Sequence, residues 1–372
     1  MVNFRFLHSS DLHLGKAFGA YPEAIRNRLR EARHGSIARL AHAARQGGAT
    51  TVLLAGDTFD AETPSPETLR HALRAMAAER DLTWIMLPGN HDSLAASELW
   101  RRIATDGPDN LRAVTDAAPF EIAPRVTVLP APCTQRRPGR DLTESMGAAT
   151  PAGHLRIGLG HGAITDFSGE EGVAGIIPPD RATLSGLDYL ALGDWHGRMR
   201  IGAATWYAGT PEADGFKHDT NAGALLVSLG GSLEVDVVET GHFSWRSLAV
   251  DLLPGDDALS RLAGVLPTVD KRRDMLVRLI VSGRLPLAER TALEQEALAI
   301  APDFGWFEHD FGGLAADTRP DDLDRIDRAG ALRQAAERLL AEAQDEARSL
   351  ADREISASAL ARLYAIALEV QK

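Results

Sequence analysis

Five short apolar runs, each closed by a cluster of polar residues, constrain this chain more than any other feature. Phe4 to Leu7 leads into Ser9-Ser10-Asp11-Leu12-His13, and Thr51 to Ala55 into Gly56-Asp57-Thr58-Phe59-Asp60. Trp84 to Leu87 leads into Pro88-Gly89-Asn90-His91-Asp92. Leu155 to Gly160 leads into His161-Gly162, and Tyr189 to Leu192 into Gly193-Asp194-Trp195-His196-Gly197. The runs lack polar alternation, so strands covered on both faces are expected. Helical spacing separates the early runs. Ile25, Leu29, Ile37 and Leu40 mark a helix over Glu23 to Arg45. Leu69, Ala72, Leu73 and Met76 mark another over Pro66 to Glu79, with Pro66 suited to its first turn, and Ser97 to Ile103 a shorter one. Alternating strands and helices are an α/β signature. In open α/β sheets ligands gather outside the carboxyl ends of the strands, and all five polar clusters sit at that end.

From Ala203 to Val238 the pattern changes to short strands, at Trp206-Tyr207, Leu225 to Val227 and Leu233 to Val238, which are expected to finish a second sheet. Past Phe243-Ser244-Trp245 the chemistry-bearing residues thin out, which places a domain boundary near residue 245. Residues 246–372 carry a strand pattern at Arg272 to Val281, a helix pattern at Pro286 to Ile300 and a strand pattern at Phe304 to Phe307. A charged helical segment follows from about Asp321, with Leu332, Ala336, Leu339, Ala343 and Ala347 as an apolar stripe, read as core rather than partner contact. The formal net charge of −12 argues against coating nucleic acid by bulk charge, so any such contact must be local. No signal-peptide core is present, and no apolar stretch approaches the roughly 20 residues that cross a bilayer. The single cysteine, Cys133, cannot form an internal disulfide. A cytoplasmic protein without a membrane partner is expected.

Asp11, His13, Asp57, Asn90, His161, Asp194 and His196 are carboxylates, imidazoles and one amide. Such donors suit manganese, iron or zinc better than a thiolate-loving metal. Asp11 and His13, like Asp194 and His196, are two apart, and extended backbone puts such a pair on one face. Any one of these residues alone would more often be a cap or a loop residue. Five loops carrying them together point to one metal site.

These clusters resemble the five ordered motifs of the calcineurin-like metallophosphoesterases. The nearer resemblance is to SbcD-type DNA-repair exonucleases, including the YhaO-like branch. It is carried by Ser9-Ser10-Asp11-Leu12-His13-Leu14-Gly15-Lys16 and by Phe59-Asp60 with Pro64-Ser65-Pro66-Glu67-Thr68. Leu187-Asp188-Tyr189-Leu190-Ala191-Leu192-Gly193 and Tyr207-Ala208-Gly209-Thr210-Pro211-Glu212 extend it. The resemblance spans residues 1–245 well and the remainder in outline. It implies a four-layer α/β-β/α sandwich over 1–245 and a smaller C-terminal α/β capping and partner-binding domain over 246–372. It also implies two divalent metals, manganese first, with magnesium, iron or zinc as options. One would be held by Asp11, His13 and His196, the other by Asn90, His161 and Asp194, with Asp57 bridging. His91 would be no ligand but would face the substrate and protonate or stabilise the leaving oxygen. Two ions roughly 3.5–4 Å apart can clamp a phosphodiester and generate a hydroxide for in-line attack.

Most relatives place histidine where this chain has Asp194. Three carboxylates rather than two would then face the ions, giving a tighter site, a less acidic water and a preference for manganese or magnesium over zinc. The implied function is a manganese-dependent DNA exonuclease, with endonuclease activity as an option, beside an SMC-like coiled-coil ATPase; a homodimer stays open. Two rivals remain: a small-molecule phosphodiesterase or phosphatase, and a non-catalytic scaffold subunit with the same fold. Among the lesser residues, Asp92 is read as a helix N-cap and Asp60 as either a turn residue or support for a ligand. Lys16 is either a phosphate contact or a solvated lysine. Arg26, Arg30 and Arg33 share one helix face that could dock a nucleic-acid backbone, against the weightier reading of a solvated surface paired with Glu23 and Glu31. His8, His34, His42 and His71 are read as packing or surface residues, and Cys133 as an inert thiol.

Overall fold

The structure is a computed structural model that describes residues 2–165, 175–217, 221–253, 255–318 and 320–370. The chain divides into two compact units, Met1–Ser244 and Trp245–Lys372.

In the first unit two six-stranded sheets form. One runs Glu234–Glu239, Gly223–Leu229, Phe4–Ser9, Thr51–Leu54, Thr83–Met86, Leu111–Ala113. The other runs Phe120–Ala123, Val126–Ala131, Leu155–His161, Tyr189–Gly193, Thr205–Tyr207, Met199–Arg200. The strands that precede the polar clusters pair in parallel: Leu7 with Val52, Val52 with Trp84, and Ile157 with Tyr189. Alternate side chains point to opposite faces of a strand, and here both faces are covered. Phe6, Leu53 and Ile85 of the first sheet are buried together with Val128, Ile157, Ala191 and Tyr189 of the second. Leu7, Val52, Leu54 and Trp84 turn the other way, onto Ile37, Leu40, Leu69, Met76 and Ile103 from the helices. The far face of the second sheet packs Leu129, Leu190 and Leu192 against Met146 and Ala182, from the helical turns Leu142–Gly147 and Arg181–Leu184. Helix, sheet, sheet, helix is the expected sandwich.

The strands after residue 203 divide between the sheets, against the expectation that they finish the second. Thr205–Tyr207 does join it. Gly223–Leu229 instead pairs antiparallel with Phe4–Ser9, and Glu234–Glu239 with Gly223–Leu229. The outer edge of Phe4–Ser9 would otherwise leave its hydrogen-bonding groups unpaired, and the returning hairpin covers it. The helix expected over Glu23 to Arg45 is two, Glu23–His34 and Ser36–Gln46. At the break the Ala32 carbonyl accepts from Arg39 Nη2 at 2.8 Å instead of continuing the ladder.

His8 sits in the sandwich interior with Nδ1 3.0 Å from the Tyr189 hydroxyl. Burial pulls its pKa from 6.5 down to about 3, against an upward pull from the Leu192 backbone. The unfolded chain therefore takes up this proton first. The stability His8 contributes is complete above 6.5 and is lost as pH falls toward 3. H8Q offers the tyrosine hydroxyl a partner that does not titrate in this range. Between neutrality and about pH 5, urea unfolding should show wild type losing about 2 kcal/mol more than H8Q. Equal losses would remove His8 from the acid response.

The second unit has a three-stranded sheet in the order Ser244–Leu252, Met275–Pro286, Trp306–Asp317. The last two strands are parallel and joined by the helix Leu287–Ile300. Its core holds Leu252, Leu279, Val281, Leu293, Ala297 and Phe311. The strands run further than the sequence pattern suggested, because Gly283 continues the pairing at φ 113, where a Cβ would strike the Leu252 carbonyl. Helices Pro320–Ile326, Ala331–Gln344 and Leu350–Val370 gather around Leu323, Ile326, Ala336, Leu360 and Tyr364. Of the expected stripe, Ala336 is buried and Leu332 is exposed. No helix among the described residues is long and apolar enough to cross a membrane.

Candidate metal centre

Three of the polar clusters follow strands of the first sheet and two follow strands of the second, and the sandwich brings all five to one place. His13 Nε2 lies 3.0 Å from His196 Nε2 and 4.0 Å from Asp11 Oδ1. Asp57 Oδ2 stands between two groups, 3.7 Å from His13 Nε2 and 3.4 Å from His161 Nε2. His161 Nε2 is 3.7 Å from Asp194 Oδ1, which accepts a 2.7 Å bond from Asn90 Nδ2. All seven side chains expected as donors meet here. Asp11, His13 and His196 are grouped closely enough to share one ion, and so are Asp11, Asp57 and His161.

The local backbone is shaped for this convergence. Asp11, His13, Asp57 and Asp194 adopt positive φ, at 55°, 43°, 53° and 106°. Such strain persists where the surrounding structure over-determines it. The glycine before Asp57 and the one before Asn90 are needed for close approach. A Cβ on Gly56 would strike His161 Nδ1, and one on Gly89 would strike Asp57 Oδ1.

Three of the imidazoles, His91, His161 and His196, are oriented by a hydrogen bond through Nδ1. His161 Nδ1 donates to the Ala55 carbonyl at 2.8 Å, and His91 Nδ1 to the Asp60 carbonyl at 2.9 Å. A carbonyl can only accept, so both of these rings carry a proton on Nδ1. His13 Nδ1 lies 3.2 Å from Asp60 Oδ1, and His196 Nδ1 lies 3.3 Å from Asp214 Oδ1. Metal-binding histidines are held in this way. The donors also fit ions on two further grounds. His161 Nε2 and Asn90 Oδ1 are buried without a hydrogen-bond partner, which proteins avoid unless something else satisfies the group. Two nitrogens on one ion, each about 2.1 Å away, stand about 3.0–3.4 Å apart, as the facing His13 and His196 nitrogens do.

The charges agree. Burial opposes the charge on Asp57, but His161 and His13 hold its carboxyl well below the usual range. Burial likewise opposes the charge on His161, and Asp57 holds it well above its usual value. Burial, with the charges of Asp11 and Asp57, pushes Asp194 up to about 6 against the pull of His161. Burial and Asp57 push Asp92 up to about 7. The pocket holds more carboxylate than its own cations neutralise, a surplus that divalent ions would offset.

Several lesser expectations change. Asp92 caps no helix, since Ala96 holds the N-cap position of the following helix. Its carboxylate instead accepts from Gly89 N at 2.7 Å and Phe59 N at 3.0 Å, tying two site loops together. Asp60 supports His13 with its carboxylate and His91 with its carbonyl. Lys16 Nζ pairs with Asp214 at 2.5 Å. Arg33 belongs to neither a solvated nor a nucleic-acid-facing surface. It is buried and donates to the Leu12 carbonyl at 2.6 Å and the Glu212 carbonyl at 2.8 Å. The Cys133 thiol is buried, pushed up to about 12 chiefly by burial, and inert as expected.

Sequence reasoning missed Asp214 and the role of Arg33. Asp214 lies two residues beyond the Tyr207 to Glu212 stretch, a spacing that could have drawn attention to it. Thr210 Oγ1 in that stretch donates to the Asp11 carbonyl at 2.9 Å.

The calcineurin-like phosphoesterase family model matches residues 4–198. YhaO of Bacillus subtilis (strain 168), an uncharacterized metallophosphoesterase, is 26% identical over 306 residues, spanning 77% of this chain and 73% of that protein. Among solved structures, GAP50, the anchor in the inner membrane complex of Plasmodium, is similar with a TM-score of 0.43 and 10% identity, over 64% of this chain and 85% of that one. Purple acid phosphatase PPD1 from yellow lupin (Lupinus luteus) seeds is similar with a TM-score of 0.39 and 11% identity, over 61% and 49%. The chain belongs to the calcineurin-like phosphoesterase family of metal-dependent phosphoester hydrolases.

Proposed function

We propose that this protein is a two-metal phosphodiesterase that hydrolyses DNA as an exonuclease, with manganese as its metal. The observation that supports it most is the meeting of two buried donors that lack a hydrogen-bond partner, His161 Nε2 and Asn90 Oδ1, with the facing His13 and His196 nitrogens around Asp57. Asp11, His13 and His196 would hold one ion, and Asn90, His161 and Asp194 the other, with Asp57 shared. When bound, the ions supply Lewis-acid stabilisation of phosphate charge and activation of water. The chain's own part is to position and to move a proton. His91 is fixed through Nδ1 by the Asp60 carbonyl, and as the imidazolium it would carry a second proton on Nε2 to pass to the leaving oxygen, ending as the neutral Nδ1–H ring. Its ring stands perpendicular to that of His13, 4.8 Å away.

DNA as substrate rests on the motif resemblance to SbcD-type exonucleases, as do an SMC-like ATPase partner and a capping role for residues 246–372. Metal-stripped protein reloaded with manganese should hydrolyse bis(p-nitrophenyl) phosphate and labelled duplex DNA. Strong turnover of p-nitrophenyl phosphate with inert DNA would replace this reading with a small-molecule phosphatase. No turnover of any substrate above H91A would replace it with a scaffold subunit.

Asp194 supplies a hard oxygen where most relatives have an imidazole. D194H is therefore expected to move relative metal affinity from manganese toward zinc by about tenfold or more, measured by metal competition. An unchanged preference would overturn the role given to Asp194.

A further inference from the structure

The run Thr134-Gln135-Arg136-Arg137-Pro138-Gly139-Arg140 has no part in the chemistry above, yet it borders the centre. Arg136, Arg137 and Arg140 line a cavity of about 340 Å³ whose floor includes Asn90, His161 and Asp194. All three arginines are exposed. Among the described residues their guanidinium groups have no ion-pair or hydrogen-bond partner. Elsewhere in this acidic chain, arginines such as Arg45, Arg101 and Arg333 are paired with carboxylates. Three unneutralised like charges within five residues repel one another, and an anion would relieve that.

The run is anchored at both ends. Cys133 N donates to the Pro88 carbonyl at 3.1 Å and Leu94 N to the Cys133 carbonyl at 2.9 Å, which ties its start to the Asn90 loop. Its end is held by Asp141, which accepts from Thr143 N at 2.9 Å and pairs with Arg181. The guanidinium fork matches phosphate oxygens. Leu142 and Ile177 add an apolar wall to the same cavity, suited to a sugar or base.

We propose that Arg136, Arg137 and Arg140 form a subsite for a second phosphate, next to the phosphate being cleaved. The substrate class is then a phosphodiester that bears a further phosphate, as in a nucleic-acid strand, and not an isolated diester. This rests on the phosphodiesterase reading above.

The test compares thymidine 3′,5′-bisphosphate with thymidine 5′-monophosphate by titration calorimetry on manganese-loaded protein. Wild type should bind the bisphosphate about tenfold tighter or better. The R136Q/R137Q/R140Q variant, checked for an unchanged melting temperature, should bind the two equally. In parallel, its ratio of kcat/KM for an oligonucleotide over bis(p-nitrophenyl) phosphate should fall at least tenfold, chiefly through KM. Equal affinities in wild type, or an advantage that survives the substitutions, would overturn the subsite. Wild type inactive toward bis(p-nitrophenyl) phosphate would overturn the phosphodiesterase reading instead, and the binding comparison would still decide the subsite.

Discussion

D57N is expected to lower metal-dependent diester hydrolysis by about 10³-fold or more. Asp57 Oδ2 lies within 3.7 Å of both His13 Nε2 and His161 Nε2, and its other oxygen accepts from His91 N at 2.8 Å. An asparagine carries no charge and offers one oxygen where both donor groups need a shared one. The same change should remove most of the stabilisation by manganese. An ion at about a thousand times its dissociation constant adds about 4 kcal/mol per site, which in a unit of this size raises Tm by about 10 °C. Wild type should show that rise over its EDTA-treated form, and D57N little of it. Turnover within tenfold of wild type, or an intact rise in Tm, would remove Asp57 from its bridging place.

H91A should divide these two readouts. Loss of a positioned proton donor costs about 10²- to 10⁴-fold in kcat, while the rise in Tm with manganese should stay, because His91 is no ligand in the proposed centre. The contrast has force because His13, Asp60 and His91 are themselves close enough to hold an ion. The Asp60 carbonyl already occupies His91 Nδ1, leaving only Nε2. If H91A abolished the metal-dependent rise as D57N does, His91 would be a ligand.

The sandwich and the meeting of the seven polar side chains were legible because their signal is local. A strand covered on both faces has to be apolar throughout, and a loop at its carboxyl end that holds a metal has to be polar. What escaped was set by distant contacts. At the break between His34 and Ser36, Arg39 reaches back to the Ala32 carbonyl, a side-chain contact that helical periodicity does not encode. The hairpin Gly223–Leu229 with Glu234–Glu239 reads as short strands, but which sheet it joins depends on the open edge of Phe4–Ser9. The strand Val126–Ala131, which the sequence reading does not include, contains Pro130. Its antiparallel neighbour pairs only with Val126 to Val128, so the missing N–H lies beyond that pairing. Arg33 looked like one more cation on an amphipathic helix. Only the fold shows its side chain bridging the carbonyls of Leu12 and Glu212 beneath the Asp11 loop.

The most direct test of the two-metal centre is an anomalous-scattering map of crystals soaked in manganese. Two peaks roughly 3.5–4 Å apart are expected, one against Asp11, His13 and His196, the other against Asn90, His161 and Asp194, with Asp57 touching both. A pocket without peaks in excess manganese, or ions bound away from these seven side chains, would contradict it.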